Sequence, residues 1–121
     1  MRNLFFIVLF ALGAASVTSG CLGGTACTTE LRYGVNVTVR NARTGANIDN
    51  AEVTIVEGNY REVLRSPPLP GVYTGAAERS GRYTLTITAP GFQPTAPRTL
   101  TVTADECHVS PVSVTVDLTP Q

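Results

Sequence analysis

Beyond residue 30, apolar and polar residues alternate along most of the chain. Val35, Val37 and Val39 alternate with Asn36, Thr38 and Arg40, the period of two that sends successive side chains to opposite faces of a half-buried strand. Glu52–Glu57 is a second strand. A weaker one, 61–64, runs into Ser66-Pro67-Pro68-Leu69-Pro70-Gly71, which cannot be strand interior because proline has no N–H for the ladder. Val72–Ala77 is short. Tyr83, Leu85 and Ile87 then alternate with Arg82, Thr84, Thr86 and Thr88, the clearest amphipathic strand in the chain. Residues 99–103 form another, and Val112, Val114, Val116 and Leu118 alternate through the last. No window from 31 to 121 shows a capped helical period. Seven short strands separated by Gly, Pro and Asn turns predict an all-β fold, a seven-stranded antiparallel β-sandwich over residues 31–121. Gly45 and Gly81 are expected to turn the chain, and Tyr83 and Phe92 to add bulk to a core of Val, Leu and Ile.

The first thirty residues follow a different pattern. Met1-Arg2-Asn3 is a short positive start, and residues 4–20 carry no charge, fading from bulky apolar residues into Ala, Ser, Thr and Gly. This grading is that of a secretory signal over residues 1–20, with an apolar stretch too short to span a bilayer as a retained helix. Val17-Thr18-Ser19-Gly20-Cys21 resembles the bacterial lipobox, where small residues precede a cysteine that is diacylated; Thr18 departs from the usual Leu, Val or Ile. The resemblance implies lipidation at Cys21 and attachment to a membrane of the bacterial cell envelope. Leu22 in place of Asp favours the outer membrane, with the domain facing the periplasm or the surface. Ordinary cleavage near residues 14–19, with Cys21 a plain thiol, is the alternative.

Residues 21–30 are small and polar and read as a tether. Three cysteines are an awkward number for an exported chain. If Cys21 carries lipid, Cys27 and Cys107 remain as a pair in an oxidising compartment. A bridge between them closes a loop of 80 residues, which chain entropy values at roughly 4.5 kcal/mol. Two free thiols or a metal pair are the competing assignments. The metal pair lacks both the short Cys spacing of zinc sites and a second His.

A family resemblance lies in Val37-Thr38-Val39-Arg40, Thr44-Gly45-Ala46 and Asn50-Ala51-Glu52-Val53-Thr54-Ile55. It continues through Tyr73-Thr74 and Gly81-Arg82-Tyr83-Thr84-Leu85-Thr86-Ile87, ending in Ala89-Pro90-Gly91-Phe92. Strand, Thr-Gly turn, Ala-x-Val strand, Gly-x-Tyr-x-Leu and Gly-Phe follow in the order seen in carboxypeptidase regulatory-like domains. The match covers about residues 33–103 and implies a transthyretin-like sandwich. Such modules are appendages of many proteins, so the resemblance says little about function. The fold's enzymatic branch, the hydroxyisourate hydrolases, ends in a Tyr-Arg-Gly-Ser-type tail and uses several His. This chain ends Asp117-Leu118-Thr119-Pro120-Gln121 and has one His, so that activity is not expected.

Charge and composition narrow the chemistry further. All nine basic residues are Arg, which excludes Schiff-base lysines, P-loop lysines and Lys–Asn cross-links. The formal net charge is zero, without the basic footprint that a nucleic-acid partner requires. His108 beside Asp105 and Glu106 is the one group with catalytic residue types, and it reads as a polar turn next to the disulfide. No catalytic residue, metal site or cofactor is expected. The 58–71 segment is the expected contact loop, with Tyr60, Arg61 and Arg65 flanking its prolines, since Tyr and Arg are enriched at binding hot spots. The same prolines suit, as the reading to be preferred, a stiff exposed crossover that protects a sheet edge. These features lead to a non-enzymatic, lipid-anchored structural or protein-interaction module of the bacterial envelope. A carbohydrate-binding module at the cell surface is the alternative, and it requires Tyr60 and Tyr73 exposed on one face.

Overall fold

A computed structural model describes residues 26–66 and 69–121. The expected signal segment over residues 1–20 and Cys21 lie outside the described residues. Seven strands are present: β1 (Tyr33–Asn41), β2 (Glu52–Glu57), β3 (Tyr60–Val63), β4 (Val72–Ala77), β5 (Gly81–Thr88), β6 (Arg98–Val102) and β7 (Val112–Leu118). They form a three-stranded sheet, β4-β1-β7, and a four-stranded sheet, β3-β2-β5-β6, in a β-sandwich-like arrangement. Among the described residues there is no helix.

Alternation produces the core. Val35, Val37 and Val39 on β1 are fully buried and face Val53 and Ile55 of β2 and Tyr83, Leu85 and Ile87 of β5 within one cluster. Threonines alternate with these residues on β5 and stay exposed, as a β-branched hydroxyl on an outer face should. Tyr83 is fully buried as expected, whereas Phe92 is only packed against the margin of the core. Among the described residues every buried side-chain nitrogen and oxygen has a hydrogen-bond partner.

The expectation of a wholly antiparallel sandwich needs correction. β1 pairs with β7 in parallel, from Val35–Val112 to Asn41–Leu118, and with β4 in antiparallel. Alternation sets which face of a strand is buried but not which strand becomes its neighbour, and only sequential hairpins are legible locally. β7 comes from β6, across the sandwich, through residues 103–111. It therefore starts at the same end as β1.

That end gathers the entry segment 26–32, the β2–β3 hairpin, the turn between β4 and β5, and the crossover from β6 to β7. Its backbone is unusual near the end of β4 and just after it, where Ala76 and Glu78 take φ of 52° and 49°. Side chains other than glycine rarely adopt such angles, so surrounding contacts must hold them there. The Ala76 N–H donates to Glu62 Oε1 at 2.9 Å, and the Glu78 N–H donates to the Arg32 carbonyl at 2.9 Å. Gly81 follows because of space: a Cβ there would stand 2.6 Å from both carboxylate oxygens of Glu57.

Truncating Leu85 to Ala should lower stability by about 2–5 kcal/mol, because it empties part of a closed core. Thr84→Ala on the opposite face of the same strand should cost within about 1 kcal/mol. Urea unfolding followed by circular dichroism measures both.

Candidate functional site

At the shared end of β1 and β7, the entry segment crosses the 103–111 connection. Cys27 and Cys107 are bonded there, with S–S 2.02 Å and Cα–Cα 5.1 Å. The expected pairing is therefore present. A bridge from Ala104 to Val109 and bonds from Asp105 N to the His108 carbonyl and from Ser110 N to the Thr103 carbonyl close the connection into a tight turn. Asp105 Oδ1 accepts the N–H groups of Cys107 and His108, both at 2.8 Å, so the turn is built around one carboxylate.

The next residue on each side of the disulfide makes a second, non-covalent tie. Thr28 Oγ1 lies 2.9 Å from His108 Nε2, and His108 Nδ1 lies 2.7 Å from Glu78 Oε1. The His108 side chain is 9% exposed. Glu78 also accepts the N–H of Arg32 at 2.8 Å and of Val109 at 3.2 Å. One carboxylate, on a residue of unusual backbone angle, thus fastens the entry segment, the crossover turn and the β4–β5 turn together. Thr28, Glu78, His108 and the neighbouring turn residues line an open cleft of about 500 Å³.

The environment holds these carboxylates ionised. Glu78 lies below the ordinary carboxylate range, chiefly through the bond from His108 and then the N–H groups of Arg32 and Val109. Asp105 is likewise low because of the His108 and Cys107 N–H groups. The order hydroxyl, imidazole, carboxylate is that of an acyl-transfer relay, but that chemistry also needs donors aimed at a developing oxyanion. Here the N–H groups of Cys107, His108 and Val109 are committed to Asp105 and Glu78. Together these bonds clasp the entry segment to the crossover turn and the β4–β5 turn. Among the described residues no group of three or more His, Cys, Asp or Glu is placed to hold a metal ion.

A second polar cluster occupies the β2–β3 hairpin. The Arg79 guanidinium sits 3.7 Å from the centre of the Tyr60 ring and donates to Glu57 Oε1 at 3.0 Å and Tyr83 Oη at 2.8 Å. Tyr60 Oη donates to Glu62 Oε1 at 2.6 Å. Glu57 is held low by the Arg82 N–H and then by Arg79. Tyr60 is pushed up to about 12, first because Glu62 takes its proton in a hydrogen bond and then because of burial.

The residues of the expected contact loop take these places. Tyr60 and Arg61 lie in β3, paired with Glu57 and Val56 of β2. Arg61 makes an exposed ion pair with Glu52 at 3.9 Å. Arg65 lies beyond β3 in an isolated bridge with Thr74. Tyr60 and Arg61 thus belong to a strand and Arg65 to the segment after it, and Pro67 and Pro68 lie outside the described residues. Tyr60 and Tyr73 are not exposed together on one face. Tyr73 is 2% exposed and spans the β1–β2 connection, donating to the Ile48 carbonyl at 2.8 Å and accepting from Ala51 N at 2.9 Å. The face of Tyr60 is covered by Arg79.

The sequence reading missed Glu78 and Thr28. They stand 30 and 80 residues from His108, and no local pattern joins them. Adjacency to Cys27 was the one usable sign for Thr28. No family model matches the chain, and no curated protein matches it either.

The pH dependence of stability follows from Glu57, Glu78 and Asp105. Because folding lowers their pKa values, their contribution is complete above the ordinary carboxylate range and is lost as pH falls through the lowered values. Urea midpoints should fall between pH 5 and 3, within roughly the window where such groups take up protons. Glu78→Gln should flatten that fall. At the alkaline end, absorbance titration should show one phenol ionising near 12, which Glu62→Gln brings back toward 10. Stability from that bond is present below pH 10 and is lost as pH rises toward 12.

Proposed function

We propose that the chain is a non-enzymatic, lipid-anchored β-sandwich that serves as a structural or protein-interaction module of the bacterial cell envelope. The observation that carries this reading is the staple at Cys27. Residues 22–26 alone separate it from Cys21, the cysteine of the lipobox-like sequence. A leash that short reaches roughly 20 Å when fully extended. A lipid on Cys21 would therefore hold the domain close to a bilayer, with the pull entering through a covalent bond and not through a frayed strand end. A disulfide also suits a compartment outside the reducing cytosol. The two-sheet architecture and the Thr-Gly and Gly-x-Tyr motifs support kinship with carboxypeptidase regulatory-like domains of transthyretin-like fold. Those domains commonly serve as appendages. The polar groups at the disulfide end are spent on one another, which suits a module whose task is to stay folded and be held.

Cys21→Ala should shift the protein from membranes to soluble fractions in a bacterial host that acylates lipoproteins. Retention in the membrane pellet after a high-salt wash would defeat the anchor. Pull-down from envelope extracts with the intact lipoprotein tests the partner half of the reading.

A further inference from the structure

We infer that the Thr28–His108–Glu78 clasp positions Cys27 against Cys107 before the disulfide forms, and so keeps Cys21 out of the bridge. The chain has three cysteines and so three possible pairings. Loop statistics favour the wrong one: Cys21–Cys27 closes by far the shortest loop, and closure becomes harder as loops lengthen. Between the two long-range pairings, Cys21–Cys107 and Cys27–Cys107, loop lengths are too similar for chain entropy to choose. The observed bridge therefore needs a folded arrangement that brings position 27, and not position 21, to the crossover turn.

The clasp provides that arrangement without oxidised sulfur. Thr28 directly follows Cys27, His108 directly follows Cys107, and their side chains meet at 2.9 Å. His108 is held from its other side by Glu78 at 2.7 Å, and Glu78 holds the same entry segment again through the Arg32 N–H at 2.8 Å. The turn carrying Cys107 is preset by Asp105, which binds the Cys107 and His108 N–H groups. Each of these bonds is available to the reduced protein. They raise the effective concentration of one thiol at the other, as a short linker does for two tethered sites. Oxidation then removes two protons and two electrons from the pair. The electrons pass to a disulfide oxidant, which leaves as a dithiol. Cys21 keeps its thiol. That this thiol then serves acylation rests on the anchor reading above, whereas the pairing itself does not.

The test uses the full chain with Cys21 unacylated, purified reduced in mild detergent and oxidised in a buffer of reduced and oxidised glutathione. Peptide mapping without reductant counts the three isomers. The unaltered chain should give mainly Cys27–Cys107. Thr28→Val keeps the shape but removes the hydroxyl. It should raise the isomers containing Cys21 about fivefold, the factor that one hydrogen bond of ordinary net strength commands. Thr28→Ser should restore the original ratio, and Glu78→Gln, which weakens the hold on His108, should raise it in part. Residue 28 is exposed and lies outside every strand, so circular dichroism should show the sandwich intact in the Thr28 variants. An isomer ratio unchanged in Thr28→Val, or altered equally by Thr28→Ser, overturns the inference. So does a Glu78→Gln variant in which only the melting temperature moves. Loss of membrane attachment in Cys21→Ala is read separately, so failure of the anchor and failure of the clasp are distinguishable.

Discussion

The first and last strands lie side by side and run the same way, and the rest of the molecule is arranged around that constraint. β1 is the middle strand of its sheet, and its three inward valines are fully buried. A parallel neighbour cannot be reached by a hairpin, so β7 must arrive from the opposite sheet through a crossover. The entry segment and the crossover consequently meet at one end of the sandwich. An unfastened entry segment there would leave the central strand exposed to fraying from its start. The disulfide and the hydrogen-bonded clasp both act at that junction, joining pairs of residues that are adjacent in sequence.

Polar chemistry follows the same geography. Three carboxylates near the disulfide end are held ionised: Glu78 first by the His108 side chain and then by the Arg32 and Val109 N–H groups, Asp105 by the His108 and Cys107 N–H groups, and Glu57 by the Arg82 N–H at the start of β5 and then by Arg79. In the crossover turn and the entry segment, Asp105 and Glu78 do the work that strand partners do in the sheets: they satisfy the N–H groups of Cys107, His108 and Arg32, which lie outside the strands. The exposed ion pairs Arg40–Asp117 and Arg61–Glu52 are of the kind that contributes little, because solvent screens them. Glu62 has a different task, joining β3 to β4 across the open edge by accepting from both Tyr60 and the Ala76 backbone. Tyr60, a contact candidate by side-chain type, also takes part in this internal wiring. Tyr60 is held between Glu62 and Arg79, and its ring is covered on one face.

Strand positions were readable because burial on one face of a sheet demands alternation, a local rule that leaves a local mark. The Val35–Val39 and Tyr83–Ile87 patterns identified β1 and β5 together with the face each one buries. The cysteine count, with the lipobox-like context of Cys21, singled out Cys27 and Cys107. Tertiary structure alone decided the parallel β1–β7 pair, since alternation looks the same whichever neighbour a strand has. It alone placed Tyr73 in the core and Tyr60 at its margin, because an aromatic on a short strand carries no mark of which sheet will cover it. It alone, too, brought Thr28, Glu78 and His108 together. Hydrogen bonds between residues 30 and 80 positions apart depend on where the entry segment and two separate turns come to rest, and no periodicity in the chain encodes that meeting.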